Sequence, residues 1–60
     1  MKELTDAELR TILYLLTKTK TKQDMKDTMQ RFKTESLGLS SDAIKTYERL
    51  AKIQIKENQS

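Results

Sequence analysis

Apolar residues along the chain recur at helical intervals. Leu9, Ile12, Leu13 and Leu16 fall at i, i+3, i+4 and i+7 and so share one side of a helix, with Tyr14 and Leu15 widening the stripe. Ahead of them Thr5-Asp6-Ala7-Glu8 reads as a capping box, with Thr5 as N-cap and Glu8 three residues on. Leu4 and Leu9 have the spacing of a hydrophobic staple, and Asp6 and Glu8 suit the positive end of the helix dipole. A first helix is expected over about residues 6–17. Thr17-Lys18-Thr19-Lys20-Thr21 alternates but has no apolar side, which predicts a polar loop. Met25, Met29 and Phe32 at i, i+4 and i+7 form a narrower seam, with Lys26, Asp27 and Gln30 on the wet side. Thr21 and Asp24 supply a weaker capping signal, and the second helix is expected over about 22–35.

Gly38 is the only glycine. It stands between Leu37 and Leu39, where a left-handed turn after a helix strains any other residue. Ser40 or Ser41 then caps a third helix, and with Ser40 as the cap Leu39 and Ile44 make a second staple. Ile44, Tyr47, Leu50, Ala51 and Ile55 are its expected inward side over about 41–55, with 56–60 a frayed tail. Ile53 and Ile55 alternate with Gln54 and Lys56, so an extended ending is the other reading of these last residues. The expected fold class is all-α: one domain over 1–60, a small three-helix bundle with a helix-turn-helix-like arrangement of helices two and three.

Composition narrows the function classes. A chain of 60 residues buries only about 60% of the surface its unfolded form exposes, so small domains lean on disulfides, metals or partners. With no cysteine and no histidine, disulfides, thiolate nucleophiles, imidazole bases and ordinary zinc sites are excluded together. A second copy or a target is the staple that remains. Asp6 with Glu8, and Asp24 with Asp27, read as caps and solvated positions rather than catalytic pairs, Ser40 and Ser41 read as caps, and one glycine cannot form a phosphate loop. The expectation is no enzyme, no cofactor, no metal and no small-molecule substrate. No apolar run reaches the roughly 18 residues of a membrane span, and Met1-Lys2-Glu3-Leu4 lacks the apolar centre of an export signal, so a cytoplasmic protein is expected.

The net charge of +3 is unevenly spread. Lys18, Lys20 and Lys22 form an acid-free stretch. On the third helix Asp42, Lys45, Arg49, Lys52 and Lys56 are spaced 3, 4, 3 and 4, so they share the side opposite Ile44, Tyr47 and Ala51, bordered by Ser41 and Thr46. A helix that packs on one side and offers Lys, Arg, Thr and Ser on the other fits the major groove, with the lysines near residue 20 adding phosphate contacts. The plainer reading is a solvated bundle face.

The order of elements adds to this. Leu37-Gly38-Leu39-Ser40-Ser41-Asp42-Ala43-Ile44-Lys45-Thr46-Tyr47-Glu48-Arg49-Leu50 resembles the turn and recognition helix of bacterial helix-turn-helix regulators, with the usual six residues from Gly38 to Ile44. Leu4-Thr5-Asp6-Ala7-Glu8-Leu9, continued through Ile12-Leu13-Tyr14-Leu15-Leu16, is similar to the first helix of winged-helix regulators. Together the likeness covers most of residues 4–55, without room for a full wing; Thr34 and Lys33 stand where the family has a small and an apolar residue. It implies a DNA-binding regulator, a homodimer reading two half-sites, with Ser41, Asp42, Lys45, Thr46 and Arg49 reading the DNA. The competing expectation is a protein-binding module that inhibits or recruits an enzyme: residues 4–38 also resemble the helical-hairpin kinase inhibitors of sporulating bacteria, with Tyr14, Met25, Met29 and Phe32 partly exposed.

Overall fold

Side-chain caps set where each helix begins. In the computed structural model, which describes residues 3–35 and 38–59, the helices are α1 (Asp6–Lys18), α2 (Lys22–Glu35) and α3 (Ser41–Gln59). Met1, Lys2, Leu37 and Ser60, which entered the sequence reading, lie outside the described residues. Thr5 and Glu8 form the expected capping box on α1. Thr21 Oγ1 accepts from the Asp24 amide at 3.1 Å while Asp24 Oδ2 accepts from the amides of Thr21 and Lys20 at 3.0 and 2.9 Å, a reciprocal cap on α2. Ser40 Oγ accepts from the Ala43 amide at 3.3 Å, which makes Ser40 the cap of α3. Leu39 is buried and Ile44 packs against the core, as a staple requires. Gly38 has φ +73°, the left-handed turn anticipated from its position.

α3 packs against both other helices, while α1 and α2 touch each other little. Glu8 of α1 meets Ser40 at the start of α3, and Gln54 near the end of α3 meets the Leu16 and Thr19 carbonyls at the end of α1, so these two helices run in the same direction. Phe32 meets Tyr47, and Met25 shares a cleft with Ile55, so α2 runs antiparallel along α3. The helix, glycine turn and serine-capped helix come in the expected order, and the pair lies lengthwise.

Among the described residues, the core consists of Ile12, Leu15, Leu16, Phe32, Leu39, Ala43, Tyr47, Ala51 and Ile55. Ala43 and Ala51 are fully covered and bring the α3 backbone close to its neighbours. Three positions expected inside are not: Leu9 is 43%, Leu13 61% and Leu50 40% exposed. The reason is coverage. α1 has one close neighbour, which covers the sector of Ile12, Leu15, Leu16 and Thr19, and the other half of its apolar stripe is left facing out. On α2 the buried side centres on Thr28 and Phe32, with Met25 and Met29 only half covered.

Polar contacts close the bundle where apolar area is short. Thr19 was expected in an exposed loop; instead it is completely buried as the residue that ends α1. Its hydroxyl donates to the Leu15 carbonyl at 2.8 Å, so the 2.6 Å contact with Tyr47 has the tyrosine hydroxyl donating. Gln54 Nε2 donates to the carbonyls of Leu16 and Thr19 at 2.8 and 2.6 Å, adding a second donor to the Leu16 carbonyl, which the Thr19 amide already reaches at 3.1 Å, and tying α3 to the end of α1. These bonds and the burial of Ile55 hold the last turns of α3, which continue as helix through Gln59 where a frayed tail at 56–60, or an extended stretch from Ile53, was expected.

Tyr47→Phe leaves the Thr19 hydroxyl without its donor and is expected to cost about 1–1.5 kcal/mol in urea unfolding. Adding Thr19→Val to that variant should cost less than its effect alone in the wild type, because the two groups share one bond. Gly38→Ala meets no atom within 4 Å but retains the left-handed backbone, so it should destabilise by about 1–2 kcal/mol without changing the far-ultraviolet circular dichroism of the folded state.

Candidate functional site on the outer side of the third helix

Because α1 and α2 grip α3 from two sides, the sector opposite the core is left to solvent. At 100° per residue Lys45, Arg49, Lys52 and Lys56 fall within about 60° of one another, a ridge on the order of 16 Å long. All four are exposed. Glu48 pairs with Lys52 at 3.8 Å, a contact too open to water to neutralise the ridge.

The antiparallel course of α2 extends this ridge sideways. Lys22 and Lys26, one turn apart at the start of α2, line a cleft with Lys52 and Lys56 near the end of α3, over a floor of Met25 and Ile55. The sequence pattern puts Lys26 on the wet side of α2 and Lys56 at the edge of a fraying tail. The available signal was the i, i+4 spacing of Lys22 and Lys26, which becomes meaningful only once the start of α2 is known to lie beside the end of α3.

The remaining candidates are placed differently. Asp42, Lys45, Thr46 and Arg49 line a second depression with Glu3, Leu4 and Leu9 from the start of α1. Thr46 is half-buried and its hydroxyl donates to the Asp42 carbonyl at 2.9 Å, while Ser41 is exposed in the first turn. With Glu3 and Asp42 at that end, positive charge is densest over the middle and C-terminal half of α3. Lys18, in the last turn of α1 rather than a loop, sets its ammonium 5.7 Å from the Tyr14 ring centre, on the flank of α1 opposite Leu9. Lys20 stands in the α1–α2 turn, and of the three lysines near residue 20 it is Lys22 that joins the cleft.

No family model, curated protein or solved structure matches this chain. Among the described residues, no helix is long and apolar enough to cross a membrane.

What aims the ridge is the anchoring of α3 at its start. Glu8 Oε2 accepts from the Ser40 amide at 3.0 Å, and Oε1 accepts from the amide and hydroxyl of Thr5 at 3.1 and 3.3 Å. The Ser40 amide, followed by the Thr5 amide, holds the Glu8 carboxyl at about 2, well under its usual 4.5. Asp24 is likewise lowered by the Lys20 and Thr21 amides. A carboxyl depressed on folding stabilises the fold above its unfolded value, and that contribution is lost as the pH falls towards its folded value. Stability should therefore drop between pH 4.5 and about 2. Glu8→Gln should be less stable than wild type at pH 7, and the gap should close through this range in urea titrations monitored by circular dichroism.

Proposed function

We propose that this chain is a small DNA-binding regulator that lays the outer side of α3 in the major groove. What supports the reading is the exposed ridge of Lys45, Arg49, Lys52 and Lys56, flanked on the α2 side by Lys22 and Lys26. A major groove about 12 Å wide admits a helix. Arg49 and Lys45, on the half of the ridge away from the α2 lysines, are assigned to base edges, where a guanidinium or ammonium matches the acceptors of guanine. Lys22, Lys26, Lys52 and Lys56 are assigned to one phosphate wall, where they position rather than specify. This differs from the assignment implied by the family resemblance: Ser41 and Asp42 lie towards the acidic end, and the contact runs along the helix rather than at its tip. No catalytic step belongs to this reading, and a cytoplasmic location goes with it.

One chain offering a handful of cations binds weakly, with Kd on the order of 10⁻⁴–10⁻⁶ M at physiological salt for non-specific contacts. If about four phosphates are neutralised, log K falls against log salt with a slope of roughly −3.6. Fluorescence anisotropy with a labelled duplex should show that salt dependence. Lys45→Ala/Arg49→Ala, which removes the base contacts, should weaken binding at least tenfold with little change of slope, whereas Lys52→Ala/Lys56→Ala, on the phosphate wall, should make the slope shallower by about 2, near one unit per phosphate contact removed. Binding that ignores salt, or that both double variants leave unchanged, sinks the proposal.

One observation favours a second reading, a module that binds an acidic protein segment: the cleft of Lys22, Lys26, Lys52 and Lys56 has an apolar floor of Met25 and Ile55, which phosphate contacts do not need. Met25→Ala separates the two, since it should leave DNA affinity within twofold and weaken capture of an acidic amphipathic peptide.

A further inference from the structure

Lys22, Lys26, Lys52 and Lys56 surround a cleft of about 360 Å³ whose floor is Met25 and Ile55. Within each pair the lysines stand one turn apart, so like charges face each other along both helices as well as across them. Lys22 is moreover in the first turn of α2, at the positive end of that helix, where a cation is disfavoured. Among the described residues, no carboxylate lines the cleft. Asp24 is engaged with the amides of Lys20 and Thr21, and Glu48 meets Lys52 at 3.8 Å from one turn away. Glu57 falls on the other side of α3, beside Leu50 and Ile53. Core packing accounts for Ile55, but not for the ammonium groups gathered above it. We propose that the cleft binds a free anionic amphiphile, a small molecule with one short apolar chain and a phosphate head, and that this effector competes with DNA. Binding in the cleft needs nothing from the DNA reading. The competition rests on it, because there the same four lysines form the phosphate wall.

Charge, polarity and size together select this occupant. Four lysines around one slot raise the local positive potential, which draws an anion. A bare phosphate gains nothing from Met25 and Ile55, and a plain hydrocarbon leaves the ammonium groups unneutralised, so a ligand with both characters fits best. The flexible lysine stems add methylene walls while their heads swing onto the phosphate, and the methionine adapts to an aliphatic chain. Lysines one turn apart span about 6 Å along each helix, and packed helices lie about 8–10 Å apart. Such a slot is at the lower end of the roughly 300–1,000 Å³ that small ligands occupy. A peptide needs a longer groove for its successive anchors. Depth argues against a bilayer. Ile55 is 2% exposed and Met25 half-buried, so both lie beneath the lysine heads, whereas a membrane-bound helix projects its apolar side chains outward.

Octyl phosphate, kept below its micelle concentration and titrated into the isotope-labelled full chain without DNA, tests this by nuclear magnetic resonance. Shifts should centre on Met25 and Ile55 and saturate by about 1 mM. Inorganic phosphate and octanol, each carrying one half of the ligand, should bind at least tenfold more weakly. Lys22→Ala/Lys26→Ala should weaken octyl phosphate at least fivefold and Met25→Ala at least threefold. Lys45→Ala/Arg49→Ala, which removes the same charge away from the cleft, should stay within twofold. Should Met25→Ala unfold, the exposed lysine pair decides, with circular dichroism confirming its helices. Shifts spread over every cationic side chain, equal losses from the two double variants, or inorganic phosphate binding as well as octyl phosphate overturn the inference. So does pelleting of the chain with phosphatidylglycerol vesicles that Met25→Ala abolishes, which assigns the cleft to a bilayer, or tighter binding there of an acidic amphipathic peptide. At concentrations that fill the cleft, octyl phosphate should raise the apparent Kd for a labelled duplex at least fivefold, and an unchanged Kd overturns the competition. If the chain binds no duplex, the titration without DNA still decides the cleft, so the two readings fail separately.

Discussion

Tyr47 is the point through which all three helices are joined. It projects from α3 and has no exposed surface. Its ring meets the edge of Phe32 from α2, with centroids 5.5 Å apart and planes at 82°. Its hydroxyl reaches Thr19 at the end of α1. In a bundle where α1 and α2 barely meet, one side chain on the shared helix fixes both partners. A phenol suits the position because its ring contributes apolar area and its hydroxyl satisfies a buried polar atom, so no buried side-chain nitrogen or oxygen among the described residues lacks a partner.

From that arrangement the surfaces follow. α3 is held along its whole length, by Glu8 at Ser40, by Tyr47 in the middle and by Gln54 near the end, so its outward sector is a fixed row of charges. On one side of this row, α2 adds the lysines of its first turn. On the other, α1 adds leucines. The molecule thus separates a cationic strip from an apolar one across the width of a single helix.

The local signals in the sequence were legible because they act over three or four residues. Thr5 with Glu8, Thr21 with Asp24, Gly38 and Ser40 each mark a helix boundary or turn through short-range bonds or a backbone angle, and each stands where the pattern put it. The side of each helix that faces inward was harder to read. An apolar stripe says that something is to be covered, without saying by how many neighbours. Leu9, Leu13 and Leu50 lie on such stripes and still stay 40% or more exposed. The converse error concerned Thr19 and Gln54, polar residues with buried or half-buried positions, whose partners lie 28 to 38 residues away and leave no periodic trace. Lys26 belongs to the same class, since its place in the cleft comes from the pairing of α2 with α3.

Gln54 ties down the end of α1 through the Leu16 and Thr19 carbonyls from 38 and 35 residues further along the chain. On a ribosome, the first helix leaves the exit tunnel long before its stopper does. Until α3 has joined them, Leu15 and Leu16 of α1 and Phe32 of α2 stay uncovered, because α1 and α2 barely meet. Losing the last two turns of α3 would thus untie the far end of the first helix.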